Sequence, residues 1–215
     1  MKLVNVDLLA TLDGPEYSTL RKSFVERSYT RGAIIFSPLE EADRVFIVKS
    51  GRVRIFLASD VKEFTLAILE RGDIYSTHTR AYVAALDDSL LWVMDTAGFH
   101  KSLADHPNLA GAMINVLGGL LKNSMSIISG LVFNDVNRRL VEYLLAEARA
   151  SDERHDDGIL VRLDLTTEQV AQIVGSTRQT VSVLINDLVR AGDIEKVERG
   201  VFLVPDTGRL EARLS

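Results

Sequence analysis

A single glycine constrains this chain more than any other residue. Gly175 separates two short amphipathic segments, and each opens with a hydroxyl residue followed three positions later by glutamine: Thr166 with Gln169, then Ser176 with Gln179. A hydroxyl at a helix N-cap accepts the N–H of the third helical residue, and a glutamine at that third position reaches back to the cap. The spacing therefore predicts two helices. Val170, Ile173 and Val174 give the first an inner face; Val181, Leu184, Ile185 and Leu188 do the same for the second. Gly192 suits the left-handed residue that ends such a helix. A hairpin pattern follows, with strands at 194–197 and 201–204 and a turn at Arg199-Gly200. Helix, glycine turn, helix and hairpin predict a winged helix-turn-helix. The outward residues at the start of the second helix are Thr177, Arg178, Gln179 and Ser182. Arginine pairs with guanine edges and glutamine with adenine edges in the major groove, so these are candidate DNA-binding residues. Between 166 and 204 there are four basic and five acidic residues. So weak a basic footprint calls for two copies of the module on one duplex.

The rest of the chain reads differently. Residues 30 to about 98 hold short apolar runs and alternations, among them Val45-Phe46-Ile47-Val48 and then Val53, Ile55 and Leu57 alternating with Arg52 and Arg54. Gly32, Gly51 and Gly72 punctuate them at intervals of about 20 residues, which predicts short strands in a β-roll or jelly roll. Residues 107–133 read as one long helix with Pro107 in its first turn. It carries two adjacent apolar stripes: Leu109, Met113, Val116, Leu120, Ile127 and Ala110, Ile114, Leu117, Leu121, Ile128, Leu131. Two stripes imply burial on two sides, one against its own domain and one against a partner helix. Gly118-Gly119 costs a mid-helix position about 1 kcal/mol per residue and hints at close approach of something bulky. Asp135 is placed to cap a helix over 137–150, and the polar residues 151–158 read as a loop. The expected organisation is α+β: a β-roll sensor domain over 1–106, a dimerisation helix over 107–133 and a winged helix-turn-helix over 134–215.

Composition narrows the chemistry. The chain has 215 residues, a net charge of −5 and no cysteine, which excludes disulfides and thiolate metal sites. No unbroken apolar run reaches the roughly 18 residues of a membrane span, and Met1 to Ala10 has no signal-peptide pattern. The expected location is the cytoplasm, away from membranes. No nucleophile–base pair, phosphate loop or histidine cluster is evident, so the chain is not expected to be an enzyme.

The segment Val174-Gly175-Ser176-Thr177-Arg178-Gln179-Thr180-Val181-Ser182 resembles the recognition segment of the cyclic-AMP-receptor/FNR (CRP/FNR) transcription regulators. The order of β-roll, long helix and winged helix matches that family over nearly the whole chain. The resemblance implies a homodimer joined through 107–133 that binds operator DNA through Arg178, Gln179 and Ser182, works with RNA polymerase, and carries a cyclic-nucleotide-binding-like sensor. The nucleotide itself is not expected, because Gly72-Asp73 is followed by a segment too short for the phosphate-holding helix. Absent cysteines likewise exclude an FNR-type cluster.

Residues Glu63 to Ala81, together with Val116-Leu117-Gly118 and Gly130-Leu131-Val132-Phe133, resemble the CooA branch, the haem-containing carbon-monoxide sensors. That resemblance implies haem b iron held by His78 and by the α-amino nitrogen of Met1 from the partner subunit. It implies an apolar distal wall of Ile114, Leu117, Gly118 and Leu121, and activation when CO takes the place of Met1. One departure stands out: the branch has a cysteine two residues before the histidine, and here that position is Ser76. A hydroxyl is a poor haem ligand, so no thiolate-ligated ferric state is expected. The alternative is a regulator of the same family answering another gas or a non-haem small molecule.

Overall fold

The computed structural model describes residues 8–40, 43–79 and 81–214. Its elements form two compact units that divide within the long helix, between Ser126 and Ile127.

In the first unit, helices α1 (Leu8–Leu12) and α2 (Ser18–Ser23) precede eight strands: β1 (Val25–Tyr29), β2 (Ile34–Phe36), β3 (Arg44–Ser50), β4 (Val53–Ala58), β5 (Glu63–Leu69), β6 (Ile74–Ser76), β7 (Tyr82–Ala85) and β8 (Ser89–Asp95). Helix α3 (Thr96–Asp105) and the long helix α4 (Pro107–Phe133) follow. The strands pair antiparallel in two four-stranded sheets, ordered β1-β8-β3-β6 and β2-β7-β4-β5. This is the expected β-roll. Between the sheets lies a core that includes Phe36, Phe46, Val53, Ile55, Leu69 and Leu91. A second core includes Leu12, Leu20, Ile47, Met94, Phe99 and Val116, where α1 to α4 supply side chains. Strand β3 belongs to both: Phe46 and Val48 enter the first core, Val45 and Ile47 the second. A strand buried on two faces has no polar side, which is why its sequence is an unbroken apolar run. The turn after β3 needs glycine, because Gly51 has φ +79° and a Cβ there would stand 2.5 Å from the Asp88 carbonyl.

Helix α4 has the predicted bounds. Of the first apolar stripe, Val116 is buried and Leu120 half-buried against both cores. The side chains of Leu109, Ala110 and Met113 lie outside the described residues. The second stripe is uncovered: Ile114 is 69% exposed, Leu117 57% and Leu121 60%, with Ile128 and Leu131 also exposed. Nothing lies within 4 Å of a Cβ built on Gly118, so the tight approach expected there has no partner among the described residues. One sequence expectation needs correction. By length and composition Val116–Phe133 is apolar enough to cross a membrane. Lys122 and Asn123 interrupt it, and a search for an unbroken run passes over it.

The second unit holds α5 (Val136–Ala150), β9 (Arg154–His155), β10 (Gly158–Arg162), α6 (Thr167–Val174), α7 (Arg178–Arg190), β11 (Glu195–Glu198), β12 (Val201–Val204) and α8 (Thr207–Ala212). The four strands form one antiparallel sheet, β11-β12-β10-β9. The helices close over a core containing Leu140, Leu144, Val170, Val174, Val181 and Leu188. Asp135 caps α5 as expected, accepting the Arg138 N–H. Residues 151–158 are more than a loop, since β9 falls among them and pairs with β10.

Candidate functional site

The helix-turn-helix is assembled from caps. Thr166 and Gln169 form the full reciprocal capping box at the start of α6, at 3.2 and 2.8 Å. Gly175 then takes φ +66°, and the Ser176 N–H reaches back to the Ala171 carbonyl at 2.9 Å. The next cap differs from expectation by one residue. Thr177, not Ser176, caps α7, accepting the Thr180 N–H at 3.2 Å. Ser176 is occupied in the turn, and Thr177 is the first residue free to adopt the extended conformation a cap requires. Arg178 and Gln179 thus become the first two helical residues, where backbone N–H groups and the positive end of the helix dipole face outward. At its far end α7 closes with paired bonds, Gly192 N–H to Val189 and Asp193 N–H to Leu188, around Gly192 at φ +72°. This is the Schellman arrangement.

The structure brings Thr177, Arg178, Gln179 and Ser182 together on one exposed face. Among the described residues Arg178 has no acidic partner, whereas Arg190 on the same helix is paired with Asp187. Lys196 and Arg199 of the β11–β12 hairpin are exposed too, and again no ion pair engages them among the described residues. Unpaired cations on a helix start and a wing suit phosphate and base contact. Two further residues share the face and were not singled out from the sequence: Val183, 57% exposed, and Asn186. Counting four residues on from Gln179 and Ser182 would have found them. An exposed valine here suits a thymine methyl group.

His78 sits on a single 3-10 turn, Thr77–Thr79, between β6 and β7. The turn is pinned on both sides of it. Thr77 is buried, and its Oγ1 accepts the backbone N–H of Arg44 at 2.8 Å. The Thr79 hydroxyl is bonded to that of Tyr75, whose phenol is pushed above its ordinary pKa by burial. Between these anchors His78 is exposed, with Nδ1 2.6 Å from the Ser76 hydroxyl. Among the described residues no hydrogen bond engages Nε2. No phosphate-holding helix fits here, because β7 begins at Tyr82, three residues after the turn. Among the described residues no group of three or more histidine and carboxylate side chains could hold a bare metal ion. Met1 and Arg80 lie outside the described residues. Ile114, Leu117, Gly118 and Leu121 line up on one exposed stripe of α4, three to four residues apart. They bring to the surface apolar side chains that nothing within the chain covers.

Residues 138–213 match the Crp-like helix-turn-helix domain, and residues 26–106 match the cyclic nucleotide-binding domain. Full-length similarity joins the two. A double mutant of CooA from Carboxydothermus hydrogenoformans superposes with a TM-score of 0.94 at 42% identity, covering 100% of both chains. This chain belongs to the CRP/FNR family of transcription regulators. The haem domain of the same CooA, which is a CO-dependent transcription factor, matches with a TM-score of 0.52 at 49% identity. It covers 59% of this CRP/FNR chain and 94% of its own. A CRP-like cAMP-activated global transcriptional regulator from Mycobacterium tuberculosis is 29% identical over 91% of each chain. CRP/FNR regulators bind operator DNA and act as dimers.

Proposed function

We propose that this CRP/FNR regulator is a haem-dependent carbon-monoxide sensor that binds operator DNA as a homodimer and activates transcription. The observation that carries the reading is the His78 turn: an exposed imidazole, anchored on both flanks, with its outer nitrogen free, in a chain 49% identical over 59% of its length to a haem domain. In this reading His78 would hold the haem iron from one subunit and the α-amino group of Met1 would hold it from the partner subunit. Ile114, Leu117, Gly118 and Leu121 form the apolar wall. When bound, a ferrous haem supplies a soft centre that takes CO, a ligand of little polarity. An apolar wall suits such a ligand, and a bare glycine lets the helix come close to the ring. Cyclic nucleotide is disfavoured by the missing phosphate helix, although the matched domain and the mycobacterial relative carry that name.

The dimer seam runs along 107–133, where the exposed stripe of α4 continues beyond the wall to Ile128 and Leu131, and it doubles a DNA footprint too weakly basic to act alone. Each subunit presents Arg178, Gln179 and Ser182 to base edges, with Thr177 holding the helix start. Effector binding shifts the population of dimers toward the DNA-competent arrangement. Such a regulator works with RNA polymerase in the cytoplasm and performs no catalysis.

The test is an absorption spectrum of protein expressed with ample haem and reduced with dithionite, before and after CO. The expected result is a six-coordinate ferrous spectrum that shifts on CO and is lost in His78→Ala. A folded dimer without a Soret band would overturn the haem reading and leave the DNA-binding one standing.

A further inference from the structure

We propose that Ser76 is the positioning residue for His78: its hydroxyl accepts the Nδ1 proton of the imidazole and so holds Nε2 unprotonated and facing outward. The 2.6 Å contact between Ser76 and Nδ1 stands by itself; which of the two donates follows from the haem reading, on which the proposal rests. Ser76 is the last residue of β6, paired with Val45 of the doubly buried strand β3, so its Cα is fixed by the sheet. His78 follows two residues later on the 3-10 turn, and the two side chains meet at 2.6 Å. Thr77 and Thr79 are committed elsewhere, to the Arg44 N–H and the Tyr75 hydroxyl. Ser76 is therefore the one described side chain that hydrogen-bonds the ring.

A neutral imidazole carries one proton, and whichever nitrogen lacks it is the ligand. Free imidazole side chains favour the proton on Nε2, the wrong tautomer for a ligand presented outward. An acceptor at Nδ1 reverses that preference, fixes the ring plane and raises the basicity of Nε2. A hydroxyl can do this where a thiolate would itself compete for iron. The replacement of the branch's cysteine by Ser76 thus changes the role of the position from ligand to support of a ligand.

Two measurements test it. Long-range 1H–15N NMR of the haem-free protein, at about pH 8 and so above the ordinary histidine range, reads the tautomer of His78 directly. The wild type is expected as Nδ1–H, Ser76→Ala as a shift toward Nε2–H, and Ser76→Thr as a return. With haem, Ser76→Ala is expected to keep a six-coordinate ferrous spectrum but lose about 10- to 100-fold in haem affinity, with a shifted iron–CO stretch in the resonance Raman spectrum of the CO-treated protein. Ser76→Thr should recover both. An unchanged tautomer in Ser76→Ala, or unchanged haem affinity and vibration, overturns the proposal. If the wild type takes up no haem while the tautomer still depends on Ser76, the haem reading falls and the hydrogen bond stands.

Discussion

Two turns in this molecule do the same job by different means. The turn at Gly175 presents Arg178, and the turn at Thr77–Thr79 presents His78. The first is held by local backbone chemistry: a capping box before it, a left-handed glycine in it, a threonine cap after it, and a helix whose inner face enters a closed core. The second is held by side-chain hydroxyls, Thr77 to the backbone of β3 and Thr79 to the hydroxyl of Tyr75 four residues back. A turn built from caps is robust to its surroundings. A turn built from cross-strand hydrogen bonds reports on them, which suits a sensor.

The contrast can be broken at several points. The largest effect is expected from Leu188→Ala, which empties the fully buried centre of the α7 face. About 2–5 kcal/mol of stability should be lost in urea unfolding. Operator binding should go with it, while amide exchange in β3 and β6 stays unchanged. Thr77→Val keeps shape but strands the Arg44 N–H, and should cost about 1–3 kcal/mol. Its signature is the reverse: a loosened sensor, read as faster amide exchange in β3 and β6, with DNA-unit exchange unchanged. Thr177→Ala removes only a cap, about 1 kcal/mol, visible as weaker operator binding with amide exchange in β3 and β6 unchanged. The smallest effect is expected at Asp87. Its hydrogen bond to Arg52, at 2.6 Å, holds the carboxyl below its ordinary range. A depressed folded pKa means the pair stabilises above the unfolded value of about 3.9 and is lost as pH falls through the folded one. Asp87→Asn should therefore be less stable than wild type near neutrality by under about 1 kcal/mol. The two should converge in melts only once the pH falls below the folded pKa, which itself lies under the unfolded value of about 3.9.

The same contrast explains why the two units differ in how much of them the sequence reveals. The winged helix is legible almost to the residue because caps, αL glycines and 3.6-residue periodicity are local signals. The cap of α7 falls one residue from its expected place, at Thr177 rather than Ser176, because two adjacent hydroxyl residues offer the same pattern. Residues 154–155 escape sequence reading because a two-residue strand has no periodicity at all. The long helix is legible in length and in its two stripes, but which stripe its own domain covers depends on where β5 and α3 lie. In the sensor, the fold is visible in its glycine turns, and His78 only through family resemblance. Nothing in Tyr75-Ser76-Thr77-His78-Thr79 announces that both threonines are engaged, since their partners lie four residues back and on another strand.

Strand β3 sets a limit on how such a sensor can be tuned. Its four central residues are divided between two cores, and its first residue donates the bond that seats Thr77. A change anywhere from Val45 to Val48 is felt in both cores, so variation there should be scarce in any library selected for folding. On the function proposed above, adjustments of effector response are then confined to the short surface between Ser76 and Thr79 and to the open stripe of α4. A protein engineer looking for a new ligand should leave the strand alone and randomise those two places.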